Sequence, residues 1–117
     1  MGDFSTFRSV GAAGDPYPVW VSETRGRNGV YAIKDRGTLV YIGESHSDRL
    51  YETMTRHFQH WRGTGADSHP SYTRGECTAS VLITSAASAP TIQAHEIATR
   101  APRDNVYETE ADDAIPF

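Results

Sequence analysis

The chain has 117 residues, 38% of them hydrophobic, and a formal net charge of −4. That length suits one domain with a modest core, and without an apolar run near 18 residues no membrane span is expected. The negative charge argues against a strongly basic nucleic-acid binder. One cysteine, Cys77, excludes an internal disulfide and fits a reducing, cytoplasmic setting.

The charge is unevenly placed. Glu108, Glu110, Asp112 and Asp113 belong to an acidic tail at 106–117, and without them acids and bases balance. Among the 11 bases only Lys34 is a lysine. The rest are arginines, which bond phosphate bidentately, although genome composition can produce the same bias. A neutral body predicts weak, salt-sensitive nucleic-acid binding unless a homodimer partner or a separate targeting partner adds positive surface.

Residues 1–28 are rich in Gly, Ser and Pro, with one apolar island at Val19, Trp20 and Val21. They read as a loose lead-in with no functional expectation, at most one short strand packed on a hairpin at 29–43. No secretory signal pattern is present. Within that hairpin, residues 29–34 (GVYAIK) and 38–43 (TLVYIG) are short and rich in Val, Ile and Tyr, as strands are. The intervening Asp35-Arg36-Gly37 predicts a three-residue loop with Gly37 left-handed. In that register Lys34 pairs with Thr38 and Tyr31 stands opposite Tyr41, so both phenols project from one face.

A helix is predicted next, with Ser47 as N-cap and Asp48 and Glu52 near its positive end. Leu50, Met54, Phe58 and Trp61 form an apolar stripe. Arg49, Thr53, Arg56 and His60 gather on another side, with His57 between the two, and Gly63 and Gly65 end the helix. Residues 62–75 read as a loop in which His69 and Arg74 are either within reach of a phosphate or simply solvated. Residues 76–84 alternate as a third strand, with Cys77 a small core residue. A last helix starts at Pro90 or Thr91, buries Ile92 and Ile97, and stops near Arg100 before Pro102. By residue chemistry alone Glu96 reads as a surface carboxylate and Asn105 as a turn residue. No Cys-x-x-Cys or His-Glu-x-x-His motif accompanies the histidines, so no structural zinc site is expected.

Gly29-Val30-Tyr31, then Val40-Tyr41-Ile42-Gly43, a helix bearing Arg56-His57-Phe58, and finally Glu96, Pro102 and Asn105 in that order resemble the GIY-YIG nuclease family. The resemblance covers roughly 29–105. It implies a small α+β domain over those residues, a mixed three-stranded sheet flanked by helices in ββαβα order. It also implies a magnesium- or manganese-dependent DNA endonuclease. Glu96 would be the metal ligand, Tyr31 or His57 the general base, and Tyr41 a hydrogen-bonding partner of the phosphate or water. The family places its phosphate-clamping arginine four residues before the histidine, where this chain has Thr53. Arg49, one turn earlier, is the candidate clamp, with Arg56 in reserve. Arg56, His60, His69, Arg74 and Asn105 would contact DNA. Two other readings stay open: an inactive nucleic-acid-binding module of the same fold, and a protein-interaction domain whose acidic tail meets a basic partner.

Overall fold

The computed structural model describes residues 6–59 and 72–105. In chain order the elements are β1 (Arg8–Ser9), α1 (Val19–Ser22), β2 (Gly29–Asp35), β3 (Thr38–Ser45), α2 (Leu50–Thr55), β4 (Cys77–Ile83) and α3 (Ala89–Arg100). Single 3-10 turns occupy Arg56–Phe58 and Arg74–Glu76. The class is α+β, as expected, but the sheet differs from the sequence reading in two ways. It has four strands, ordered β1-β4-β2-β3, and every ladder is antiparallel. The lead-in supplies the extra strand, on β4 rather than on the hairpin. β3 and β4 do run in the same direction, as a helical crossover requires. However, β2 lies between them, so no parallel ladder forms.

β2 is central and buried on both faces, with Val30, Tyr31, Ala32 and Ile33 all fully enclosed. Tyr31 and Ile33 join Val40, Tyr41 and Ala79 beneath Leu50 and Met54 of α2 and Val21 of α1. Val30, Ala32 and Ile42 face the other way, onto Ala89, Ile92 and Ile97 of α3. Val10 and Val21 of the lead-in are fully buried, so that segment is part of the core.

The hairpin turn is shorter than the sequence suggested. Asp35 pairs with Thr38, leaving a two-residue turn at Arg36 and Gly37. Both have positive φ, 50° and 85°, the signature of a type I′ turn. A left-handed arginine costs about 1–2 kcal/mol; here its N–H is tied to the Glu76 carbonyl at 2.9 Å. An unbroken ladder from that turn would set Tyr31 opposite Ile42 and send Tyr41 to the far face. A one-residue bulge at Val40 prevents this: Lys34 pairs with Leu39, but Ile33 pairs with Tyr41 and Tyr31 with Gly43. The two tyrosines are therefore diagonal neighbours on one face, not an opposed pair, with ring centroids 6.2 Å apart.

α2 begins at Leu50, later than predicted, and Ser47 does not cap it. Asp48 sits at φ 65°, which no helix accommodates. Asn28 holds it there: its Oδ1 accepts from the Asp48 N–H at 2.7 Å and its Nδ2 donates to the Asp48 carboxylate at 2.9 Å. The Arg49 N–H turns to Ser45 Oγ at 2.9 Å, and the Leu50 N–H to the Arg27 carbonyl at 3.1 Å. Leu50, Met54 and Phe58 are buried as the stripe predicted; Trp61 and the glycines at 63 and 65 lie outside the described residues. Among the described residues no helix is long and apolar enough to cross a membrane.

β3 is an edge strand, and the chain after α3 covers it. Ala101 turns left-handed at φ 47°, and the N–H groups of Arg103 and Asp104 then reach the Leu39 and Val40 carbonyls at 3.2 and 2.8 Å. The acceptors released by the bulge are thereby satisfied. At the far side of the hairpin, Gly29 has no room for a side chain. A Cβ there would lie 2.2 Å from the Leu82 carbonyl oxygen. Gly29→Ala is expected to cost about 1–3 kcal/mol, the range for overpacking. Urea unfolding monitored by circular dichroism should show a lowered midpoint with an unchanged slope.

Candidate active site

Tyr31 from β2, Tyr41 from β3 and His57 from the 3-10 turn after α2 converge beneath α2. The Tyr31 hydroxyl lies 2.9 Å from His57 Nε2 and 3.2 Å from the Thr53 carbonyl. The Tyr41 ring centroid is 4.5 Å from that of His57. The phenol has one proton. If it goes to Thr53, Nε2–H donates to the phenol oxygen; if it goes to His57, Nε2 accepts. Tyr31, Tyr41 and His57 are all buried, at 0%, 4% and 2% exposure. Burial, with the Arg56 charge adding to it, pushes the imidazole from its usual range down to about 3. His57 is therefore neutral at physiological pH.

Tyr72 closes the cluster, its ring centroid 5.9 Å from His57. The Tyr72 N–H donates to the His57 carbonyl at 3.1 Å and its hydroxyl to Asp104 Oδ2 at 2.7 Å. Burial raises the Tyr72 phenol, so it stays protonated as that donor. Thr53 stands where the family pattern would have an arginine. It is 2% exposed, and its Oγ1 donates to the Arg49 carbonyl at 3.0 Å. Thr53 thus presents its backbone carbonyl, not a cation, to Tyr31.

Arg49 is exposed at the start of α2, and Arg56 is half-buried next to His57. Glu96 is not a surface carboxylate: it is 4% exposed, on the α3 face that also buries Gln93. Arg100 Nε donates to Glu96 Oε1 at i, i+4. α3 packs on the opposite side of the sheet from the tyrosines, so Glu96 and the Tyr31–His57 pair lie on opposite faces of the sheet. Gln93 marks how near the helix comes to that strand, its Nε2 reaching the Ile42 carbonyl at 3.2 Å.

Asn105 lies at the same edge. Its Oδ1 accepts from the Ile42 N–H at 2.7 Å and its Nδ2 donates to the Ile42 carbonyl at 3.1 Å, an imitation of a neighbouring strand. Arg74, expected in a loop, is 7% exposed. Its Nε and Nη1 donate to the Val10 and Asp15 carbonyls at 2.8 and 2.7 Å, and the guanidinium stacks on Tyr17 at 3.8 Å. Both Asn105 and Arg74 hold the fold together rather than facing a ligand. His60 and His69 lie outside the described residues. Cys77 is buried, and burial, with Asp35 and Glu76 nearby, raises its thiol to about 12, which suits a core residue and not a nucleophile.

One buried carboxyl group escaped the sequence reading. Glu44 is fully enclosed, with both carboxylate oxygens 3.1 Å from His46 Nδ1. The signal was available: alternation along β3 puts Glu44 on the same face as Ile42, towards α3. Glu96 is the kind of hard oxygen donor that a hydrated divalent cation takes, but its Oε1 already accepts from the Arg100 guanidinium, so a cation there would have to displace Arg100. Among the described residues no group of three or more His, Cys, Asp or Glu side chains is placed to share an ion. No family model, curated protein or solved structure matches this chain.

This geometry has two measurable consequences. Because the folded state keeps His57 neutral while the unfolded chain protonates it near pH 6.5, the His57 contribution is fully present above that pH. It is lost as pH falls towards 3, by about 1.4 kcal/mol per pH unit. Urea midpoints between pH 6.5 and 5 should fall in the wild type and fall less steeply in His57→Gln. Asn105→Ala should cost about 1–3 kcal/mol, the penalty of leaving buried Ile42 groups unpaired, measured by thermal unfolding at neutral pH.

Proposed function

We propose that the chain is a metal-dependent endonuclease that hydrolyses DNA phosphodiester bonds. The observation that carries this reading is the hydrogen bond between Tyr31 and His57 with Tyr41 packed against it. Residues far apart in sequence, singled out by the GIY-YIG resemblance, meet at one point. On this reading Tyr31 deprotonates or orients the attacking water, Tyr41 positions the phosphate, and Arg49 offsets the charge that grows on its oxygens. Glu96 would hold magnesium or manganese, which supplies a Lewis acid for the phosphoryl oxygen and the leaving group.

Magnitudes separate the two base candidates. Burial, with the Arg56 charge, holds the His57 imidazole at about 3, which makes it too weak a base to take the Tyr31 proton at neutral pH. His57 is then the partner that orients the Tyr31 hydroxyl, and Tyr31 itself is the base, helped by nearby positive charge. The burial of both groups means that a phosphate meets them only after covering groups move aside.

That burial, together with Thr53 at the usual arginine position, also supports a second reading: a nucleic-acid-binding module of this fold that does not cut. An interaction domain is less well supported. Among the described residues the large exposed apolar side chains are Val19 and Ile83, too few for an apolar docking face.

Supercoiled plasmid at low salt with magnesium or manganese distinguishes them. The nuclease reading expects nicking that a chelator abolishes. Tyr31→Phe and Glu96→Ala should slow it by about 10²-fold or more. Arg49→Ala should slow it more than Arg56→Ala. Retained DNA binding in a gel shift without cleavage would establish the inactive module.

A further inference from the structure

Away from the Tyr31–His57 cluster, the described surface carries a cleft of about 380 Å³ between the lead-in and the outer part of the sheet. That volume lies in the range of about 300–1,000 Å³ typical of small-molecule sites. Arg8 of β1, Trp20 and Glu23 at α1, and Arg27 ahead of β2 line it opposite Val81 and Ile83 of β4. Arg8, Glu23 and Arg27 are exposed, and none of the three forms an ion pair among the described residues. Trp20 is held in place: its indole N–H donates to the Ser9 carbonyl at 3.0 Å, and the Arg8 guanidinium lies 5.8 Å from the ring centroid.

These walls match the parts of one chemical class. A fixed indole offers a stacking surface to a planar base. Two guanidiniums without an ion pair among the described residues offer bidentate bonds to a phosphate. A carboxylate accepts hydrogen bonds from amino groups on a base edge and repels phosphate, which directs the phosphate to the arginines. We propose that this cleft binds a nucleotide, with the base against Trp20, its phosphate on Arg8 and Arg27, and Glu23 reading an amino group of the base.

The nucleotide could be free or part of a strand. Val81 pairs with Tyr31 across the β2–β4 ladder, so the cleft opens from the sheet face that carries the candidate active site. The strand case rests on the nuclease reading; the free-nucleotide case does not.

The full chain, labelled with ¹⁵N, would be titrated with dGMP, dTMP, inorganic phosphate and a short single-stranded oligonucleotide. The two indole N–H signals, from Trp20 and Trp61, are assigned with Trp20→Phe. The proposal expects the Trp20 indole and the amides of 79–83 to shift with dGMP, less with dTMP, and least with inorganic phosphate. Arg8→Ala and Arg27→Ala, both at exposed positions, should keep the wild-type amide spectrum while weakening dGMP about ten- to hundredfold. Glu23→Ala should narrow the gap between dGMP and dTMP. Shifts with dGMP assign the site to free nucleotides; shifts with the oligonucleotide alone assign it to a nucleotide in a strand. No shift with either, or equal shifts with inorganic phosphate, would overturn the proposal. So would unchanged affinity in both arginine variants. Plasmid cutting by a chain without these shifts would remove the cleft and leave the nuclease reading, whereas nucleotide shifts in a chain that does not cut would do the reverse.

Discussion

The bulge at Val40 is the constraint on which the remaining arrangement depends. A type I′ turn at Arg36–Gly37 by itself gives a register in which Tyr31 and Tyr41 point to opposite faces. One extra residue in β3 restores them to a common face, where α2 can bring His57 between them. The same insertion leaves carbonyls on an edge strand, and these bind the chain that returns from α3. Thus the geometry of the tyrosines and the position of Asn105 have one cause. A strand edge that would otherwise invite pairing with another chain is covered in the process.

A second set of contacts fixes where α2 begins. Asn28 restrains Asp48 from both sides, Ser45 takes the Arg49 N–H, and the Arg27 carbonyl takes the Leu50 N–H. Together they start the helix at Leu50 and leave Arg49 on the outside. Because the lead-in ends in Arg25, Arg27 and Asn28, this junction also gathers its arginines around the start of α2, with the Arg25 guanidinium 3.6 Å above the Tyr51 ring. The body of the chain is neutral in sum, yet its exposed cations are not evenly spread. Local positive surface of this kind can attract a polyanion where net charge would not.

The buried groups set the chemical limits of the site. His57 next to Tyr31 resembles a base–nucleophile pair, but an imidazole held neutral so far below its ordinary range has little proton affinity. The pair is better understood as positioned hydrogen bonding, with the Tyr31 hydroxyl held between His57 Nε2 and the Thr53 carbonyl. Glu96, on the other face of the sheet from this pair, is a carboxylate already balanced by Arg100.

Much of the core could be read from the residues themselves. The β character of 29–34, 38–43 and 76–84, the apolar stripe Leu50–Met54–Phe58 and the last helix with Pro90 in its first turn all depend on local propensity and periodicity. Those are properties of neighbouring residues. The placing of Tyr31 and Tyr41 on one face was also legible, although for the wrong register, because two errors of one residue each, in turn and in bulge, cancel in a period of two. What the sequence could not fix was anything set by partners remote in the chain. Arg74 has the look of a loop cation and becomes an interior clamp because the Val10 and Asp15 carbonyls are there to receive it. Asn105 has the look of a turn residue and becomes a strand mimic because β3 has an open edge. Glu96, Glu44 and His57 owe their burial to elements dozens of residues away. Local sequence determined the elements and their faces; only the tertiary structure decided which polar groups lost their water, since desolvation depends on every segment that packs around a group and not on its neighbours in the chain.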